Sequence, residues 1–136
     1  MSKPLTVQTT VKAPIAIVWE SWNSPAAITK WAFASDDWEA PAAENDLREG
    51  GNFKTVMAAK NGSAQFDFAG KYTAVKKPEL IEYDMEDGRH VKVEFKPTPD
   101  GVLVTETFDP ESENPPAKQI EGWHAILTNF KKFVER

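Results

Sequence analysis

The chain has no cysteine, which excludes disulfides, thiol catalysis and thiolate metal sites together. Histidine is almost as scarce. The two present, His90 and His124, lie far apart in sequence, so a transition-metal centre lacks its usual nitrogen and sulfur ligands. No metal and no cofactor is expected. Basic charge is also in deficit: 16 Lys and Arg face 21 Asp and Glu, a formal net charge of -5 and a pI near 5.1. That acidic balance argues against a nucleic-acid partner, which usually needs a basic face, and disfavours anionic membrane surfaces. Long apolar runs are missing, so no integral membrane association is expected. The first residues, MSKPLTVQTT, contain no hydrophobic signal region. The expectation is a cytoplasmic protein.

What is present is an ordinary globular balance, 40% hydrophobic and 27% charged over 136 residues, without repeats or low-complexity tracts. That length suits a single domain spanning residues 1–136 with one substantial core. LTVQTTV (Leu5 to Val11) alternates as a half-buried strand should. Pro14 then suits the first turn of a helix carrying Ile15, Val18, Trp19 and Trp22 at helical spacing. Ser24 as cap and Pro25 at the first helical position start a second short helix leading into AAITKW. The polar stretch from Ala32 to Arg48 contains Pro41 and has no clear period; it reads as a loop with a short edge strand near Glu44 to Leu47.

Three hairpin signals follow, Asn61-Gly62, Asp87-Gly88 and Asp100-Gly101, with a further break at Lys77-Pro78. They separate strand-like runs near 52–59, 64–75, 80–86, 89–96 and 102–108, an antiparallel meander. After ENPP, one amphipathic helix reaches the end of the chain, with Asn114 as its cap and Pro115 in its first turn. It presents Trp123, Leu127, Phe130 and Val134 on one stripe. Its 20 or so residues span roughly 30 Å, enough to cross a curved sheet. The fold class is α+β, a curved antiparallel sheet of about six or seven strands wrapped on the long final helix, with two short helices after the first strand.

Alternation assigns faces to the strands. Phe53 and Met57 share one side, as do Phe66 and Phe68. So do Ile81, Tyr83 and Met85, then Val91, Val93 and Phe95. In the last strand Val102, Val104 and Phe108 point the same way, which also carries Glu106 inward. An unpaired buried carboxylate is costly, so Glu106 must be paired, protonated or turned toward a wet or ligand-filled space. The commoner accommodation, and the one favoured here, is a salt bridge or a β-bulge that turns the side chain outward.

The order of elements is that of the helix-grip fold. The stretches APIAIVWESWNSPAAITKWAFASDDWEAPAAENDLREGGNF, FDFAGKYTAV, DGRHVKVEF, TETFDPE and GWHAILTNFKKFVE resemble the family of activator-of-heat-shock-ATPase homologues, within the START/birch-allergen-like (SRPBCC) superfamily. The resemblance runs from about Leu5 to Glu135. It implies a deep pocket between the sheet and the last helix, used by various members for apolar or aromatic small molecules. It implies no shared catalytic residues. The namesake eukaryotic co-chaperone carries an additional N-terminal domain that does much of the chaperone binding, and 136 residues leave no room for it.

An aromatic-rich set then becomes the candidate binding surface: Trp31, Trp38, Phe53, Met57, Phe66, Phe68, Tyr83, Phe95, Glu106, Phe108, Trp123 and Leu127. The plain alternative is that these rings only fill a core. Trp38 stands out because it falls in an irregular polar segment, where binding residues often lie. Asp67 alternates to the opposite, solvated face, and Asp36 and Asp37 read as solvated loop acids. His124 sits at the edge of the apolar stripe. Gly50-Gly51 reads as a tight turn. Lys131, Lys132 and Arg136 complement the final helix dipole. No serine, histidine and acid combine into a catalytic set, so catalytic residues are not assigned and an enzyme is not the favoured reading. The leading expectation is a domain holding an apolar or aromatic small molecule. A module that modulates a chaperone ATPase, with the chaperone as partner, is the second reading. A cyclase or hydrolase using Glu106 inside the pocket is the third.

Overall fold

The computed structural model describes residues 3–136. β1 (Leu5–Val11) leads into α1 (Ile15–Asn23) and α2 (Pro25–Trp31). Then come β2 (Trp38–Asn45), β3 (Asn52–Ala59), β4 (Gln65–Lys76), β5 (Leu80–Met85), β6 (His90–Thr98), β7 (Gly101–Phe108) and α3 (Pro116–Glu135). The seven strands form one antiparallel sheet in the order β1-β7-β6-β5-β4-β3-β2. From β2 to β7 every sheet neighbour is also a sequence neighbour, which is a meander. β1 closes the other edge against β7, with Leu5 opposite Phe108 and Val11 opposite Val102. This is the α+β helix-grip architecture that the order of sequence elements implies.

Local chemistry explains the turns and the faces. Gly62 and Gly88 adopt φ of 78° and 93°, a region that glycine enters without a Cβ clash, and they close the β3–β4 and β5–β6 hairpins. Val102, Val104, Glu106 and Phe108 are buried while their β7 neighbours are half-buried, so the period-2 alternation is unbroken.

Two readings of the sequence need correction. The segment expected as a loop with a strand at 44–47 is instead an eight-residue strand, β2, from Trp38 to Asn45. It lies at the sheet edge, where Pro41 withdraws no donor that a neighbour needs. Its register shifts between Glu39 and Ala42, and that irregularity erases the alternation that would have announced a strand. Both long-range helix starts also fall one residue later than expected. Pro14 and Pro115 are the N-caps of α1 and α3, and Asn114 lies before the helix. Ser24 does occupy the N-cap of α2, but through its backbone carbonyl, which accepts from Ile28 N at 2.9 Å, and not through its hydroxyl.

The solid core lies where β1, β7, β6 and β5 meet α1 and the second half of α3. Val11, Val18, Val91, Val93, Val104, Phe108, Leu127 and Phe130 are fully sealed there. Lys131 fastens α3 to the sheet edge: its Nζ donates to the Thr10 carbonyl at 2.6 Å and pairs with Glu135 at 2.6 Å. Glu135 in turn accepts from Lys12 N at 2.8 Å. The first half of α3 is less buried, with Trp123 and Ile126 only partly covered. No helix among the described residues is long and apolar enough to cross a membrane.

A candidate ligand cavity

Because α3 is fastened over β1 at one end, its first half stands off from β3, β4 and β5. The gap is an open cavity of about 550 Å³, within the range that holds small organic ligands. Its floor is built by alternate residues of three strands, placed on one face by the pleat. These are Phe53, Thr55 and Met57 of β3, Phe66, Phe68 and Tyr72 of β4, and Ile81, Tyr83 and Met85 of β5. Its roof comes from Trp22 and Asn23 of α1, Ile28 and Trp31 of α2, and Gln119, Trp123 and Ile126 of α3.

A glycine shapes the floor. Phe53 lies opposite Gly70, and a Cβ there would meet the Phe53 ring at 2.9 Å and the Asp84 carbonyl oxygen at 2.6 Å. Without that atom, Phe53 lies down over the strand and joins Tyr83, Tyr72 and Phe68 at ring-centroid distances of 4.7, 5.3 and 5.9 Å. Such offset and edge-on contacts suit the quadrupoles of the rings.

Polar side chains hold the frame. The Tyr72 hydroxyl donates to Asn45 Oδ1 at 2.5 Å, Asn45 Nδ2 donates to the Asn23 carbonyl at 2.7 Å, and Asn23 Nδ2 donates to the Trp19 carbonyl at 2.9 Å. This relay ties β4 through β2 to α1. At the mouth, Gln119 Nε2 donates to the carbonyls of Glu111 (3.1 Å) and Asn114 (2.7 Å), while its Oε1 accepts from Glu111 N at 2.8 Å. The segment before α3 is thereby pinned at the cavity entrance.

Glu106 is the exception to this satisfaction. It is 5% exposed, yet it has neither a hydrogen bond nor a salt bridge among the described residues. The β7 register shows no shift, with Glu106 opposite Val7 on one side and Val93 on the other. The outward-turning bulge or salt bridge favoured from sequence is thus overturned: an unbroken β7 carries the side chain inward with Val104 and Phe108. No side-chain polar atom among the described residues is both sealed and unpartnered, so the Glu106 carboxyl meets the cavity itself. Burial pushes its pKa up to about 8, which keeps it protonated at neutral pH. Burial, and then the nearby Glu106, likewise hold the Tyr83 hydroxyl well above its ordinary range.

Of the candidates named from sequence, Trp31, Phe53, Met57, Phe66, Phe68, Tyr83, Glu106 and Trp123 lie on the cavity wall. Phe66 is half-exposed at the rim. Trp38, Phe95, Phe108 and Leu127 do not line it. Trp38 is in edge strand β2, against Phe66 at 5.9 Å. Phe95 is covered by Trp19 and Trp22 at 5.4 and 5.7 Å. Phe108 lies flat beneath Trp123, with ring centres 3.9 Å apart and planes within 4°. Leu127 belongs to the sealed half of α3. These three stand one layer behind the wall and back it.

Sequence reasoning passed over Trp22, Ile28 and Ile126, whose helical stripes signalled burial without saying against what. It also passed over Asn23, Asn45 and Gln119, whose long-range bonds leave no periodic trace. Asp36, Asp37, Asp67 and His124 are exposed. On the outer face of the sheet, His90 bonds Asp84 at 2.6 Å and Glu82 at 2.9 Å, and those acids raise its pKa. No three His, Asp or Glu among the described residues are grouped to hold a metal ion.

Residues 12–135 match the model of the family described as Activator of Hsp90 ATPase homolog 1-like protein. The AHSA1-like protein of Aeromonas hydrophila, solved in solution, is 44% identical and superposes with a TM-score of 0.92, over 97% of this chain and 92% of that one. Chr148 from Cytophaga hutchinsonii is 51% identical with a TM-score of 0.85, over 98% and 93%. CV1439 from Chromobacterium violaceum shares the fold at 21% identity, with a TM-score of 0.87 over 99% of each chain. No curated protein matches the chain. On the family match and the first two structures, the chain belongs to the Activator of Hsp90 ATPase homolog 1-like family.

Proposed function

We propose that this protein binds a small apolar or aromatic molecule in the cavity between the sheet and the first half of α3. One observation carries the reading: Glu106, buried on the cavity wall, has no partner among the described residues. A core would not hold such a group without cost, whereas a ligand can supply the missing bond. Removal of apolar surface from water drives the binding, and Glu106 with the Tyr83 hydroxyl fixes the ligand's orientation. Modulation of a chaperone ATPase draws less support. The large apolar side chains left exposed among the described residues, Ile17, Phe66 and Ile120, stand on three different elements.

The test is a titration with fatty acids, sterols, polycyclic aromatics and aromatic amines, following tryptophan emission and melting temperature together. Trp22, Trp31 and Trp123 line the cavity, so a bound ligand must alter their emission. At about 100 times Kd a ligand selective for the native state adds ~2.7 kcal/mol, which raises Tm by several degrees. A saturable emission change with a rise in Tm is the expected outcome. Unchanged emission and Tm across the whole panel would contradict the reading.

A further inference from the structure

Resting on that reading, we propose that the ligand is an organic cation, an aromatic amine or quaternary ammonium whose positive centre sits against Glu106 and the surrounding rings. Three independent features converge. The walls present the faces and edges of Trp22, Trp31, Phe53, Phe68, Tyr83 and Trp123, and aromatic faces attract desolvated cations. The buried carboxyl of Glu106 is unpartnered among the described residues, and the one basic side chain on the wall, Arg89, pairs with Asp87 and not with it. The rim carries Glu44, Asp67, Glu86, Asp87 and Glu111 against one base, Arg89, which is already paired with Asp87 at 2.8 Å. A low-dielectric cleft with an acidic rim concentrates cations and repels anions. A free carboxylate, or the phosphate of a phosphocholine head group, would have to lie among those acids. A neutral ligand would gain nothing from them.

The proton balance gives the proposal a signature. Glu106 is flanked across the sheet by Val7 and Val93. The titratable groups sharing the cavity are the Tyr72 and Tyr83 hydroxyls, both raised by burial and neutral through the working range, and the rim acids with Arg89. The helices contribute only uncharged side chains to the wall, Gln119, Trp123 and Ile126 from α3 and Trp22, Asn23, Ile28 and Trp31 from α1 and α2. Since the free carboxyl holds its proton up to about pH 8, a docking cation must displace that proton. Affinity then rises about tenfold per pH unit below 8 and levels above it. A neutral hydrogen-bond acceptor would do the reverse, losing affinity as the proton is lost.

The experiment is calorimetric titration with (1-naphthylmethyl)trimethylammonium, its uncharged carbon isostere, 1-naphthylacetate and dodecylphosphocholine, on the wild type and Glu106→Gln. The expected result is that the ammonium compound binds at least about tenfold tighter than each of the others at pH 8. Its advantage shrinks toward pH 6. In the glutamine variant its advantage over the isostere falls to about threefold or less, while the isostere binds as before and so reports an intact cavity. If the uncharged, anionic or phosphocholine probe binds as tightly as the ammonium compound, the cation assignment is overturned and the cavity reading stands. If none of the four binds, both fall. Should the variant fail to fold, the wild-type pH profile decides, and affinity flat or falling between pH 6 and 8 overturns the proposal.

Discussion

A carboxyl group that finds no partner inside its own protein makes folding pH-dependent in a specific direction. Below its unfolded pKa of 4.5, Glu106 is neutral in both states and nothing is lost. As pH rises from 4.5 toward the folded value of about 8, the unfolded chain ionises freely while the folded one keeps its proton. Stability therefore falls through that window and levels off above it. The full shift corresponds to an upper bound on the order of 5 kcal/mol, and relaxation of the site lowers it. Glu106→Gln keeps the shape and removes the titration. Urea unfolding of this variant is expected to show a gain of about 2–4 kcal/mol at pH 8 and almost none at pH 4. A loss at both pH values would mean that the carboxyl has a stabilising partner. A residue whose replacement stabilises the fold is one retained for something other than folding.

At the scale of elements, α3 does two jobs along its length. Leu127 and Phe130 are fully buried against the core, whereas Trp123 and Ile126 face the cavity. Leu127→Ala is expected to cost about 2–5 kcal/mol by leaving a void in a sealed site. Trp123→Ala exposes the stacked face of Phe108 and opens the roof, so ligand affinity falls by more than its lost stability accounts for. Parallel melts and titrations of the two variants separate these effects; equal ligand affinity in a folded Trp123→Ala protein would argue against the roof. β4 makes a comparable demand at Gly70. An added methyl group would meet the Asp84 backbone at 2.6 Å as well as the Phe53 ring. Gly70→Ala is therefore expected to destabilise by about 1–3 kcal/mol, with the cavity floor rearranged. Denaturant midpoints check the first part and ligand titration the second.

Across the whole molecule, the sheet was legible because its signals are local. Each strand of the meander announces itself by alternation, and each hairpin by a glycine or, between β4 and β5, by Pro78. β2 was not, since an edge strand can carry Pro41 and a register shift and still pair along one side. The inward direction of Glu106 followed from alternation alone, against the bulge or salt bridge that the sequence reading favoured. Its lack of a partner did not, because a partner would have come from β3, β5 or α3, distant in sequence and joined only by the fold. The same limit explains why Phe95 and Phe108 fell among the candidates. They share the concave face with Tyr83, and only the placement of α1 and α3 decides which rings are covered and which remain on the wall. A cavity is a property of where elements part, and no single periodicity records that.

The most direct test of the account is the titration of Glu106 itself, followed through its side-chain carboxyl ¹³C resonance in the ligand-free protein. An unpartnered acid on a cavity wall should give a midpoint near 8. A midpoint near the ordinary 4.5 would show that the group is solvated or paired, and the polar anchor on which the binding site rests would be gone.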